Sequence, residues 1–109
     1  MGATKHDFFT KQQNELAAAA KALSHPARIA IMQYLAKRNT CVCGDIVDKI
    51  PLAQPTVSQH LKELKNAGLI KGTVEGNAVC YCIDLKNMKK FQEVFNDLLE
   101  PNNVKPQCC

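Results

Sequence analysis

The stretch QPTVSQHLKELKNAGLI, residues 54–70, constrains this chain more than any other. Pro55 stands where a first-turn proline loses no hydrogen bond, because the amide it lacks would have no partner there. Gly68 stands just past the last periodic residue as a left-handed stop. One helix is predicted between them. Val57, Leu61 and Leu64 recur at helical spacing as a narrow apolar stripe, which turns Thr56, Ser58, Gln59, Lys62 and Asn66 outward. Hydroxyls, amides and a lysine are the groups that hydrogen-bond base edges and phosphates in a DNA major groove. Any solvated helix also carries a polar outer face, so the face alone leaves both readings open.

The flanking segments narrow the choice. Residues 45–50 (DIVDKI) read as a short helix with Ile46, Val47 and Ile50 apolar, and Pro51, Leu52 and Ala53 make a connection of helix-turn-helix length. Downstream, residues 69–75 and 79–84 read as two strands around Gly76 and Asn77, a pair suited to positive φ. Helix, turn, recognition helix and hairpin make the winged helix-turn-helix order. The fold class expected is mainly α with a small β-hairpin (α+β), in the order αααα-ββ-α.

The motif SHPARIAIMQYL (residues 24–35), the CVC of residues 41–43, QPTVSQHLKELKNAGLI and the hairpin together resemble the ArsR/SmtB family of metal-responsive repressors, over about residues 15 to 100. The resemblance implies a homodimer built from the first and last helices, double-stranded operator DNA as partner, and a metal ion as inducer. It places Gln54, Thr56, Ser58, Gln59 and Lys62 against bases or phosphates, with Gly76 and Asn77 at the wing tip touching the minor groove or backbone.

Composition agrees with a single helix-rich domain. The chain has 109 residues, 46% of them hydrophobic, without Trp. The expected division is a winged helix-turn-helix and dimerisation domain over 1–101 and a flexible tail over 102–109. The net charge of +4 would double in a homodimer and favour approach to a polyanion. No apolar run of signal-peptide or membrane-span length is present, so a cytoplasmic protein without membrane contact is expected. In a reducing compartment the six cysteines point to metal or redox chemistry rather than a disulfide framework.

Three further helices are predicted. Residues 7–22 hold an alanine-rich helix with Phe8, Phe9, Leu16, Ala19 and Ala20 favouring one side, a dimer-interface candidate as well as a core one. Ser24, His25 and Pro26 open the second, with Ser24 as hydroxyl cap and a broad apolar arc through Ala27, Ile29, Ile31, Met32, Tyr34 and Leu35. Arg28 either bonds locally or approaches a phosphate, and His25 belongs to the helix start. Residues 86–100 form the last, with Met88, Phe91, Phe95 and Leu98 in one stripe. No His follows His60, so the last-helix Asp/His/Glu site of zinc-sensing relatives is not expected.

The cysteines are the candidate ligands. Cys41 and Cys43 are expected at the entrance to the short helix, after two basic residues, where the thiolate form is favoured. Thiolates are soft ligands for trivalent arsenic and antimony. The resemblance implies a pyramidal three-sulfur site containing Cys41 and Cys43, but Asp45, Ile46 and Val47 stand where the family's third cysteine would fall. Cys108 and Cys109, on the tail, are the favoured source of the missing sulfur, and an incidental pair is the alternative. Cys80 and Cys82 alternate with Val79, Tyr81 and Ile83 on the second wing strand, with the latter set expected toward the core and the cysteines outward, either as small strand residues or as a second thiol site.

The function expected is a homodimeric repressor that releases operator DNA when cysteines coordinate trivalent arsenic, antimony or another soft ion, with no organic cofactor. A redox- or persulfide-sensing repressor using Cys41/Cys43 or Cys80/Cys82 is the alternative. An enzyme is not expected: no Cys-x-x-Cys and no βαβ pattern supports a thiol-disulfide oxidoreductase.

Overall fold

The computed structural model describes residues 8–38, 41–44, 46, 49–76 and 78–100. Its elements are α1 (Lys11–Ala22), α2 (Pro26–Lys37), β1 (Val42–Cys43), α3 (Gln54–Asn66), β2 (Ile70–Glu75), β3 (Ala78–Ile83) and α4 (Leu85–Leu99). This is the winged helix-turn-helix arrangement expected. Ile46 and Lys49 are helical, but the limits of the expected short helix lie outside the described residues.

Local chemistry sets the helix ends. Thr10 caps α1 through a reciprocal capping box with Gln13, each bond 3.0 Å, so the described helix starts at Lys11 rather than Asp7. The cap of α2 is His25, not Ser24. Its Nδ1 accepts from the Ala27 amide at 3.0 Å, while the Ser24 hydroxyl turns back and donates to the Lys21 carbonyl. At the end of α3, the Gly68 amide donates to Lys65 O and the Leu69 amide to Leu64 O, with Gly68 at φ 84°, a Schellman stop as the sequence requires. Asp84 caps α4 by accepting from the Asn87 amide, which moves the helix start to Leu85.

The sheet has three strands, not two. Its order is β1-β3-β2, all antiparallel. Val42 and Cys43 extend along β3 opposite Tyr81 and Cys80, so the CVC segment is a strand edge rather than a helix start. Gly44, at φ 86°, then turns the chain away. Val42 is buried on the core face of this added strand.

One core joins these layers. Ala19 and Ala22 of α1, Ile31, Met32 and Leu35 of α2, Ile46, Ile50, and Val57, Leu61 and Leu64 of α3 pack with Leu69, Ile70 and Phe91. Tyr81 and Ile83 lean on this cluster, but Val79 lies beyond it and is 42% exposed. Cys80 lies on the face opposite Tyr81 and Ile83, as expected, but is not open to solvent: it is 1% exposed. The apolar arc of α2 is narrower than expected, since Ile29 reaches solvent. Phe8 and Phe9 pack edge-to-face on each other and stay exposed, outside the stripe assigned to them.

Candidate functional site

The outward face of α3 presents Gln54, Thr56, Ser58, Gln59 and Lys62 together, all exposed, while Val57, Leu61 and Leu64 hold the opposite face in the core. Ala53 provides no side-chain cap and the first turn has no acidic residue. The first-turn amides and the positive end of the helix dipole are therefore placed as in helix termini that receive phosphates. Gly76 is exposed at the hairpin tip with φ 62°. Asn77 lies outside the described residues.

His60 ties this helix to α2, a contact that the local sequence pattern does not reveal. It is buried on the inner side of α3, where Nδ1 accepts from Arg28 Nε at 3.0 Å. Arg28 also donates through Nη1 to the Ala22 carbonyl at 3.3 Å, which realises its local reading. The His25 ring lies 4.5 Å from that of His60, centroid to centroid. Burial, then the neighbouring His25 and Arg28, push the His60 pKa below the ordinary value of 6.5. The one available signal was a histidine four residues before Leu64 on an otherwise apolar stripe.

The second feature is a group of thiols on the sheet. Cys43 is disulfide-bonded to Cys80, directly across the β1–β3 ladder, with 4.1 Å between their Cα atoms. Continuing that register by one residue sets Cys41 opposite Cys82, and their side chains are hydrogen-bonded. The contact with Cys41, followed by burial, raises the Cys82 pKa against the opposing pull of Lys71. Cys41 and Cys82 line an open pocket of about 420 Å³ with Leu35, Ala36, Arg38, Lys71, Ile83 and Leu85. Among the described residues, no three Cys, His, Asp or Glu side chains are arranged to hold a metal ion. Cys108 and Cys109 lie outside those residues. The disulfide joins the two strands rather than residues two apart on one of them, because residues two apart on a strand are farther from each other than from their cross-strand partners.

The profile of bacterial regulatory proteins of the arsR family matches residues 25–71, from the start of α2 through α3. An uncharacterized HTH-type transcriptional regulator of Methanocaldococcus jannaschii, MJ1325, is 37% identical over 79 residues, 72% of this chain and 88% of its own length. The arsenical resistance operon repressor of Staphylococcus xylosus is 30% identical over 95 residues, 87% of this chain and 86% of its own. The chain belongs to the ArsR family. The homodimeric winged helix-turn-helix DNA-binding domain of Mb0332 from Mycobacterium bovis shares the fold, with TM-score 0.64 at 24% identity over 89% of this chain and 96% of that one. An ArsR-family chain with this architecture is a DNA-binding transcriptional repressor. Among the described residues, no helix is long and apolar enough to cross a membrane.

Proposed function

We propose that this chain works as a homodimeric cytoplasmic repressor that holds operator DNA when metal-free and lets go when cysteine thiolates coordinate trivalent arsenic or antimony, or another soft ion. Gln54, Thr56, Ser58, Gln59 and Lys62 contact bases and phosphates, and the tip at Gly76 and Asn77 follows the backbone. The ligands include Cys41 and Cys43. The observation that carries the reading is a continuity of packing: Val42, between those two cysteines, shares one buried cluster with Ile46, Ile50 and the Val57, Leu61 and Leu64 stripe of α3. Drawing the two sulfurs onto an ion shifts Val42, and a close-packed core passes that shift to the recognition helix.

The dimer reading rests on unpaired apolar surface. Phe8 before α1, and Leu98 and Leu99 at the end of α4, are 82%, 61% and 72% exposed, and α1 packs against α4 with Lys90 Nζ bonded to Glu15 Oε1 at 2.8 Å. A second copy would cover these side chains. The relative from S. xylosus is named for arsenical resistance, which supports a metalloid inducer here.

Operator binding by fluorescence anisotropy, titrated with arsenite, tests the reading: Cys41→Ser should bind DNA as the parent does and fail to release it. Release of that variant at the parent's arsenite concentration would remove Cys41 from the site. The Cys43–Cys80 bond favours a second reading, in which thiol oxidation is itself the signal. A matched titration with hydrogen peroxide separates the two.

A further inference from the structure

Four cysteines converge on one face of the sheet. Cys41 and Cys43 are two apart on one chain segment, as are Cys80 and Cys82 on β3, and the register sets each opposite one of the other pair. Side chains directly across a ladder share a face, so all four sulfurs stand on the side away from Val42 and Tyr81. On β2, Lys71 pairs with Cys82 and Thr73 with Cys80, so each sulfur pair continues into a polar side chain. The two pairs differ. Cys43 and Cys80 are bonded, and Cys80 is buried, whereas Cys41 is exposed, Cys82 is half-buried, and both are free thiols opening on the pocket with Arg38 and Lys71.

We propose that β3 supplies the third ligand of the metalloid site, Cys82, beside Cys41 and Cys43, and that Cys80 is its redox gate, keeping Cys43 out of the site while the Cys43–Cys80 bond is closed. This rests on the repressor reading above for its consequence on DNA, though not for the binding itself. Opening the gate needs two electrons and two protons, supplied by a dithiol reductant: its two thiols become a disulfide, the Cys43–Cys80 bond breaks, and each sulfur leaves as a thiol. Arsenous acid then loses three hydroxides. Each departs as water with the proton of one thiol, while As–S bonds form to Cys41, Cys43 and Cys82. Arsenic stays trivalent, so this second step involves no oxidant or reductant. Arg38 and Lys71 stand in the same pocket wall as Cys41 and Cys82. Cys82 already stands across the register from Cys41, so the third sulfur need not be brought in from the tail.

The test uses the full chain without DNA, with arsenite as probe, read by near-ultraviolet sulfur-to-arsenic absorbance and by the mass of the intact complex. Dithiol-reduced protein should bind one arsenite per chain. Protein purified without reductant, with Cys43–Cys80 confirmed by peptide mapping, should bind more than about tenfold more weakly, since losing even an outer-shell partner of a metal costs that much. Cys82→Ser should show the same loss after reduction while still binding operator. Cys80→Ala should bind equally with and without reduction. The double variant Cys108→Ser, Cys109→Ser should match the parent. Wild-type arsenite affinity in Cys82→Ser, loss of affinity in the tail variant, or dependence on reductant in Cys80→Ala would each overturn the assignment. If arsenite loads onto the reduced protein as described but the operator complex is unmoved, the site stands and the repressor reading falls. If arsenite releases DNA from Cys82→Ser as it does from the parent, the reading stands and the site falls.

Discussion

The guanidinium of Arg28 donates to Nδ1 of His60 at 3.0 Å, from the first turn of α2 to the inner face of α3, and its other arm holds the last carbonyl of α1. One side chain thus joins three helices behind the exposed polar face of α3. The bond requires Nδ1 to be an acceptor, so the imidazole must be neutral, with its proton on Nε2.

That requirement makes stability depend on pH. The folded-state pKa of His60 lies below the ordinary 6.5, so the unfolded chain takes up this proton first as pH falls. Its contribution is fully present above about pH 6.5 and is lost as pH falls through the lower folded-state value. Thermal melts from neutral to acidic pH should show a decline that is shallower in His60→Ala, which itself lowers stability by about 1–3 kcal/mol by leaving Arg28 without its acceptor. A parallel decline in the two proteins would place the pH dependence elsewhere.

On the outer face of α3 the expectation is the reverse, a change in binding without a change in folding. Gln59 and Lys62 are exposed, so alanine at either should alter stability by less than about 0.5 kcal/mol. Gln59→Ala should weaken operator binding by about 1–3 kcal/mol, and Lys62→Ala should lower the slope of log affinity against log salt by about 1. Anisotropy at several salt concentrations reads both quantities.

Gly68 should tolerate no side chain cheaply. Its φ of 84° disfavours L residues, and a Cβ there would stand 3.0 Å from Asn87 Nδ2, which now donates to the Gly68 carbonyl. Gly68→Ala should cost about 1–3 kcal/mol in urea denaturation, with a further loss of operator affinity as the wing shifts against α3.

At the α4 terminus, Leu98→Asp with Leu99→Asp should leave the monomer fold intact, because both side chains are already in solvent. The same pair should convert the proposed dimer to monomer in sedimentation velocity and weaken operator binding, since two half-sites are then no longer gripped together. A double variant that still sediments as a dimer would put the interface elsewhere.

Much of this molecule was readable from local pattern. The period of Val57, Leu61 and Leu64 and the proline and glycine that bracket α3 act within a few residues of each other and stand in the structure as expected, and the strands that flank Gly76 pair as a hairpin. The helix α3 and the two wing strands were legible for that reason. The CVC segment was misplaced because a two-residue strand is too short to show a period, and Val42 enters a sheet only when β3 arrives to pair with it. His60 was overlooked because its partner lies 32 residues away.

The order of residues along the chain therefore settled the helices, the turn and the exposed reading face, since hydrophobic spacing and backbone stops are properties of neighbours. Which sulfur meets which was settled by three-dimensional packing alone. The Cys43–Cys80 contact spans 37 residues, and no spacing rule reaches across a loop of that length: the contact exists because the core that holds α3 and the hairpin sets β3 beside β1.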